Sequence, residues 1–160
     1  MLRTGTSFDA AQICAIYNLY VRDTVITFEE TPVAVDDMAR RIADVTERWP
    51  WLVWEEDGAV VGYAYAAAWK ARSAYRQSVE TTIYLAPQSA GRGIGSRLYG
   101  ALIDELRVRG AHCIIGGIAL PNPASIALHE KLGFVKIGQF HEVGLKFGRW
   151  VDVGYWELLL

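Results

Sequence analysis

Gln88-Ser89-Ala90-Gly91-Arg92-Gly93-Ile94-Gly95 is the stretch whose reading decides the fold. Glycine at every second position lets consecutive backbone N–H groups turn toward one point, and a helix beginning there adds partial positive charge. Together these suit a cradle for a pyrophosphate, although glycines so spaced also serve simply as turns. The flanks support that placement. Before it, Val79, Thr81, Ile83 and Leu85 alternate with Glu80, Thr82 and Tyr84, which gives a strand with two distinct faces. After it, Ile94, Leu98, Ala101, Leu102 and Leu106 recur at helical spacing until Gly110 closes the run. A Walker loop is excluded, because Ile94-Gly95-Ser96-Arg97 contains no lysine. A dinucleotide-binding βαβ unit is excluded by what lies upstream. Residues 51–55, 60–69 and 78–85 read as three consecutive strands, the first two joined at Asp57-Gly58, so an antiparallel meander leads into the loop.

Working outward, residues 2–7 read as a short strand. Ile13, Ile16, Tyr17 and Tyr20 mark a helix over 9–22. Residues 24–32 break that period, and Met38, Ile42, Val45 and Trp49 form the stripe of a second helix that Pro50 stops. Downstream, the apolar run 113–119 suits a central strand buried on both faces. A short helix follows over 121–132, and two closing strands over 134–143 and 149–158. The order βααβββαβαββ predicts one α/β (α+β) domain over residues 1–160, with a mixed, mostly antiparallel central sheet and helices on both faces.

Composition narrows the function. With 52% hydrophobic and 21% charged residues, the 160-residue chain has ample material for a core. Its formal charge of −2 argues against nucleic-acid and membrane-surface binding, which need a basic excess. The charge is unevenly distributed. Residues 23–57 hold ten acids against three basic residues, whereas residues 58–160 hold eleven basic residues against seven acids. An anionic ligand is therefore expected in the later part of the chain. No apolar run is long enough for a membrane helix and no signal-like amino terminus is present, so a cytoplasmic location is expected. Cys14 and Cys113 have no CxxC or histidine spacing around them, so no metal site is expected and both read as small buried hydrophobes.

The cradle and its setting resemble the acetyl-CoA site of the GNAT acetyltransferases, whose motif Gln/Arg-x-x-Gly-x-Gly/Ala is met by Gln88, Gly91 and Gly93. Asn122, Ser125 and Gly133-Phe134 extend the likeness. Within that superfamily the chain is similar to the phosphinothricin and methionine sulfoximine N-acetyltransferases. Thr27-Phe28-Glu29-Glu30-Thr31-Pro32, Leu128-His129-Glu130-Lys131-Leu132-Gly133-Phe134 and the run from Lys146 to Trp156 carry that closer resemblance.

The resemblance implies acetyl-CoA as cosubstrate and an N-acetyltransferase acting on the α-amine of a small amino-acid-like acceptor, by direct transfer in a ternary complex. An α-ammonium must lose its proton before attacking a thioester, and Glu80 is the candidate base. Backbone groups of Ile83, Tyr84 and Leu85 would face the thioester carbonyl. Gln88, Gly91, Arg92, Gly93, Ile94, Gly95 and Ser96 would hold the pyrophosphate, and Asn122 and Ser125 the pantetheine or phosphate portions, unless they serve only to cap the helix that starts there. The position where many GNAT enzymes carry a tyrosine to protonate the leaving thiolate falls on His129, which reads either as that acid, as a cofactor contact, or as a satisfied structural histidine. Lys70, Arg72, Tyr75 and Arg76 form a basic, aromatic loop without an acid, suited to an acceptor carboxylate and phosphinate. Phe28, Glu29, Thr81 and Thr82 would complete the acceptor wall. The resemblance also implies a homodimer through the 146–156 segment. Two rival readings are a GNAT enzyme acting on a protein amino terminus, lysine or polyamine, and a non-catalytic CoA-binding sensor.

Overall fold

A computed structural model describes residues 1–160. The elements in chain order are β1 (Leu2–Thr4), α1 (Ala10–Asp23), α2 (Val35–Thr46), β2 (Trp51–Glu56), β3 (Ala59–Ala68), β4 (Ser78–Leu85), α3 (Ile94–Val108), β5 (Cys113–Ala119), α4 (Pro123–Lys131), β6 (Val135–Lys146) and β7 (Arg149–Leu159). They form one seven-stranded sheet in the order β1-β2-β3-β4-β5-β7-β6. Every pairing is antiparallel except β4 with β5. The expected mixed sheet with helices on both faces is therefore what the chain adopts. None of its helices is long and apolar enough to cross a membrane.

Alternation along the strands divides the core in two. Leu52, Ala64, Ala66 and Val79 turn to one face and pack with Leu98, Leu102 and Leu106 of α3. Trp51, Val53, Val60 and Tyr63 turn to the other and pack with Ile13, Ile16 and Tyr17 of α1 and with Met38 and Ile42 of α2. Leu98, Leu102 and Leu106 are fully buried, and each contributes about 1.5–3 kcal/mol by leaving water. This stripe fixes α3 beneath the sheet, and with it the loop that opens α3.

Three sequence expectations shift. The α2 stripe runs to Trp49 but the regular helix stops at Thr46; Trp49 N–H still reaches the Val45 carbonyl at 2.8 Å, a last turn that keeps the ring on the core side. β6 extends to Lys146 rather than ending near 143, making a long hairpin with β7 that contains register shifts. Cys14 is buried as expected, but Cys113, at the start of β5, is only half-buried.

The feature that positions the site is the short parallel ladder. Only Ser78, Val79 and Glu80 of β4 pair with β5, opposite Cys113, Ile114 and Ile115. Beyond Glu80, β4 stays paired with β3 through Leu85, and β5 stays paired with β7 through Ala119. The two strands therefore part in the middle of the sheet. The β5-facing edge of residues 81–85 has no strand partner, which leaves backbone polar groups in need of one.

Candidate active site

The fork between the parted strands opens into two continuous cavities. One is bounded by Glu80 through Tyr84 on β4, Gly117 through Ala119 on β5, and Asn122, Ser125 and His129 of the α4 region. The other runs from Ile83, Tyr84 and Leu85 to Gly91, Gly93, Gly95 and Ser96. Ile26, Ile83, Tyr84, Asn122 and Ser125 line both, so one channel leads from the cradle to Glu80.

At the cradle end, Gly91 and Gly93 have φ of +75° and +76°. That left-handed region favours glycine, and Gly93 is the residue from which α3 starts. Ile94 is buried, so it offers only backbone. Gln88 sits exposed at a 3-10 turn over Pro87–Ser89 and does not line the channel. Arg92 turns away as well, its guanidinium forming a two-pronged pair with Glu56 of β2 at 2.8 and 3.1 Å. The cation that does approach the start of α3 is Lys131, whose Nζ donates to Ser96 Oγ at 3.3 Å from the end of α4. Asn122 caps α4, its Oδ1 accepting from Ser125 N–H at 3.1 Å. Tyr20 is a channel wall that sequence reasoning assigned to the core stripe. Its hydroxyl donates to the Leu85 carbonyl at 2.5 Å.

At the other end, the half-buried Glu80 carboxylate accepts no hydrogen bond from the protein, and burial pushes its pKa above the ordinary carboxylate range while Lys70 pulls the other way. Thr82 and Tyr84 share its face of β4. Thr81 takes the opposite face, as the alternation required; its side chain, expected in the acceptor wall, is buried against α3 with Oγ1 2.6 Å from the Tyr99 hydroxyl. Tyr99 in turn lies 3.1 Å from His129 Nε2. His129 Nδ1 is 2.8 Å from the Ser125 carbonyl. A carbonyl only accepts, so Nδ1 carries the proton and Nε2 accepts from Tyr99. His129 is thus a buried, neutral imidazole with both nitrogens engaged, and burial lowers its pKa. His129 also borders the fork cavity, with both ring nitrogens engaged within the protein.

The basic loop expected to meet the acceptor carboxylate lines neither cavity. Lys70 lies over the Trp69 ring at 4.7 Å and bears on Glu80. Arg72, Tyr75 and Arg76 are exposed and line neither cavity. Across the mouth, Glu29 is held by Tyr17 and, in two-pronged fashion, by Arg41 at 2.6 and 3.0 Å. Those bonds hold its pKa below the ordinary carboxylate range, so it is an already paired anion, and it lines neither cavity. Phe28 is partly exposed and packs against Gly144. No group of three or more His, Cys, Asp or Glu side chains is gathered to hold a metal.

Comparison with known proteins agrees with this arrangement. The acetyltransferase (GNAT) domain family matches residues 2–154. The L-methionine sulfoximine/L-methionine sulfone acetyltransferase of Salmonella typhimurium is 39% identical over 163 residues, covering 99% of this chain and 94% of that protein. A GNAT superfamily phosphinothricin acetyltransferase from Sinorhizobium meliloti, solved in complex with acetyl-CoA, superposes with a TM-score of 0.96 at 40% identity over 100% of this chain and 88% of that one. A structure described as a ribosomal-protein-alanine N-acetyltransferase from Brucella melitensis superposes with a TM-score of 0.97 at 37% identity, over 100% and 99% of the two chains.

Proposed function

The chain belongs to the GNAT acetyltransferase family, and from that premise we propose that it acetylates the α-amino group of a small amino-acid-like acceptor by direct transfer in a ternary complex. Acceptors of the phosphinothricin, methionine sulfoximine or methionine sulfone type fit this reading. The observation that carries it is Glu80: a half-buried carboxylate with no protein hydrogen-bond donor, standing where the β4–β5 ladder ends and the channel from the cradle arrives.

Acetyl-CoA supplies the acetyl group and a thiolate leaving group. In this reading the amide groups of Gly91 and Gly93, with the start of α3, hold its pyrophosphate. Lys131 and Ser96 add a cation and a hydroxyl there. On the unpaired edge, Ile83 and Leu85 give N–H donors to the cosubstrate, including one for the thioester oxygen as charge develops on it, while Tyr84 between them bonds to β3. Glu80 takes a proton from the acceptor ammonium so that the nitrogen lone pair can attack, and its raised pKa makes it a stronger base than an ordinary carboxylate. Lys70, whose charge is felt at Glu80, meets the acceptor carboxylate, with Arg72, Tyr75 and Arg76 approaching from the exposed side of their loop. His129 serves as the neutral anchor that orders Tyr99 beneath the fork.

A homodimer belongs to the same reading. Ile137, Phe140, Leu145 and Trp150 on the β6–β7 hairpin are more than half exposed, a run of apolar side chains that a second copy would cover.

A thiol-release assay over a panel of amines tests the proposal. Turnover with methionine sulfone, methionine sulfoximine or phosphinothricin is the expected result. The Brucella neighbour favours one other reading, acetylation of a protein amino terminus. Turnover with alanine-initiated peptides alone would establish that reading and remove ours.

A further inference from the structure

The loop between α1 and α2 overhangs the fork, and its backbone is almost unsupported. Residues 25–33 make no backbone–backbone hydrogen bond. Within the loop, Thr24 Oγ1 accepts from Ile26 N–H at 3.1 Å and Thr27 Oγ1 from Glu29 N–H at 3.4 Å. From α1, Asn18 grips Val33, accepting from its N–H at 2.8 Å and donating to its carbonyl at 3.0 Å. Arg41 of α2 holds the Glu29 side chain, and the one hold on the backbone from beyond α1 is Lys146, at the far end of β6, which donates from Nζ to the Thr27 carbonyl at 2.8 Å, across 119 positions of sequence.

Lys146 is 1% exposed. An ammonium has three protons to donate and loses its hydration when buried, so a lysine in this position is costly unless its bond does something a methionine could not. Thr27 O is its single protein acceptor, with the Phe147 ring 5.1 Å away and Glu29 and Glu30 the nearby acids. The same end of β6 seats the next residue, because Phe28 packs over Gly144, where any side chain would collide with the ring. Thr27 is pinned from behind too, its hydroxyl 2.7 Å from Tyr17 Oη. The residue this clamp steadies, Ile26, lines both the fork and the cofactor channel.

We propose that Lys146 is a positioning residue for the acceptor: by holding the Thr27 carbonyl from β6, it sets the height of the 24–33 loop over the fork and hence the room left for the acceptor beside Glu80. This rests on the fork being the acceptor site. Together with the Phe28–Gly144 contact, it ties the loop to the exposed β6–β7 hairpin, so whatever covers that hairpin acts on the acceptor end of the channel through this end of β6.

The test compares Lys146→Met, which keeps length without donors, with Lys146→Arg, which keeps charge and donors, reading hydrogen exchange by mass spectrometry and steady-state kinetics with methionine sulfone. Lys146→Met should speed exchange in residues 24–33 and raise the acceptor KM roughly tenfold, while the acetyl-CoA KM stays within about twofold. Lys146→Arg should restore part of both effects. Unchanged exchange in 24–33, or equal shifts in the two KM values, would overturn the assignment. A wild-type protein that acetylates no amine would overturn the fork as acceptor site and this role with it; wild-type turnover with an unaltered acceptor KM in Lys146→Met would overturn the role of Lys146 alone.

Discussion

The carboxylate of Glu80 rests over the bare backbone of Gly117: a Cβ added there would stand 3.3 Å from Glu80 Oε1 and 3.2 Å from Tyr155 Cε1. Three strands thus meet at one small space, with β4 contributing the carboxylate, β7 the aromatic ring and β5 nothing. The space exists because β4 leaves β5 after Glu80, and because β5 has glycine at the facing position.

Gly117→Ala should therefore act on chemistry more than on cofactor binding. The new methyl is tighter than ordinary contact with both neighbours, and overpacking of this kind costs about 1–3 kcal/mol when a side chain must shift. Here the group free to shift is Glu80, which no hydrogen bond holds. Steady-state kinetics should show a lower kcat with acetyl-CoA KM nearly unchanged; a variant with unaltered kcat would mean that the carboxylate position does not matter.

Replacing the proposed base, Glu80, gives the sharper pH signature. General-base catalysis contributes about 10²–10⁴-fold, so Glu80→Gln should lose activity on that order while binding acetyl-CoA normally. In the wild type, the base works only when ionised. Burial raises its pKa above the ordinary carboxylate range, so kcat/KM should fall as pH drops through that raised value. The variant should lack this limb. A wild-type profile flat down to the ordinary glutamate range would contradict the burial effect.

The same substitution should stabilise the fold. A carboxyl whose pKa is raised on folding binds its proton more tightly in the native state, so between the unfolded and the raised native values stability falls as pH increases. Above that window the destabilisation is complete, and below the unfolded value it vanishes. Thermal unfolding should show Glu80→Gln melting above the wild type at neutral pH and level with it in strong acid. A variant less stable at both pH values would show that Glu80 contributes contacts its ionisation does not spoil.

How far the site could be read from sequence depends on what kind of signal each residue leaves. The cradle was legible because left-handed backbone at Gly91 and Gly93 demands glycine, and because strand and helix periods flank it. The face carrying Glu80, Thr82 and Tyr84 was legible from alternation, which also puts Thr81 on the other face and so opposes its place in the acceptor wall. Arg92 was misleading, since nothing local announces a Glu56 partner on a strand 36 positions earlier. Lys131 and Lys146 were invisible for a related reason: a lysine at the end of a helix or an edge strand reads as solvated, and only the folded chain shows one at Ser96 and the other buried under Thr27. Tyr20 has the spacing of a core residue, and its stripe says nothing of the hydroxyl that reaches Leu85.

Gly93→Ala isolates the cradle from the chemistry. At φ of +76° an alanine is strained by about 1–2 kcal/mol, and the start of α3 would relax away from the geometry that aims its N–H groups. Nothing lies within 4 Å of the added Cβ, so the effect is conformational rather than a clash. Titration calorimetry should show weakened CoA binding, with the acceptor KM at saturating acetyl-CoA little altered. Equal loss in both would place the defect in the fold as a whole.

Direct transfer predicts that no acetyl group pauses on the protein. The half-buried Cys113 is the more accessible of the two cysteines, but burial and the neighbouring Glu157 both push its pKa upward, so it holds little of the thiolate that would attack a thioester. Cys14 is buried and shifted the same way. Neither lines the fork or the channel. Intact-mass spectrometry after incubation with acetyl-CoA alone should therefore find unmodified protein, and Cys113→Ser should retain full turnover. A stoichiometric acetyl adduct on Cys113 that the acceptor discharges would replace the ternary complex with a two-step transfer and take the first attack away from the amine.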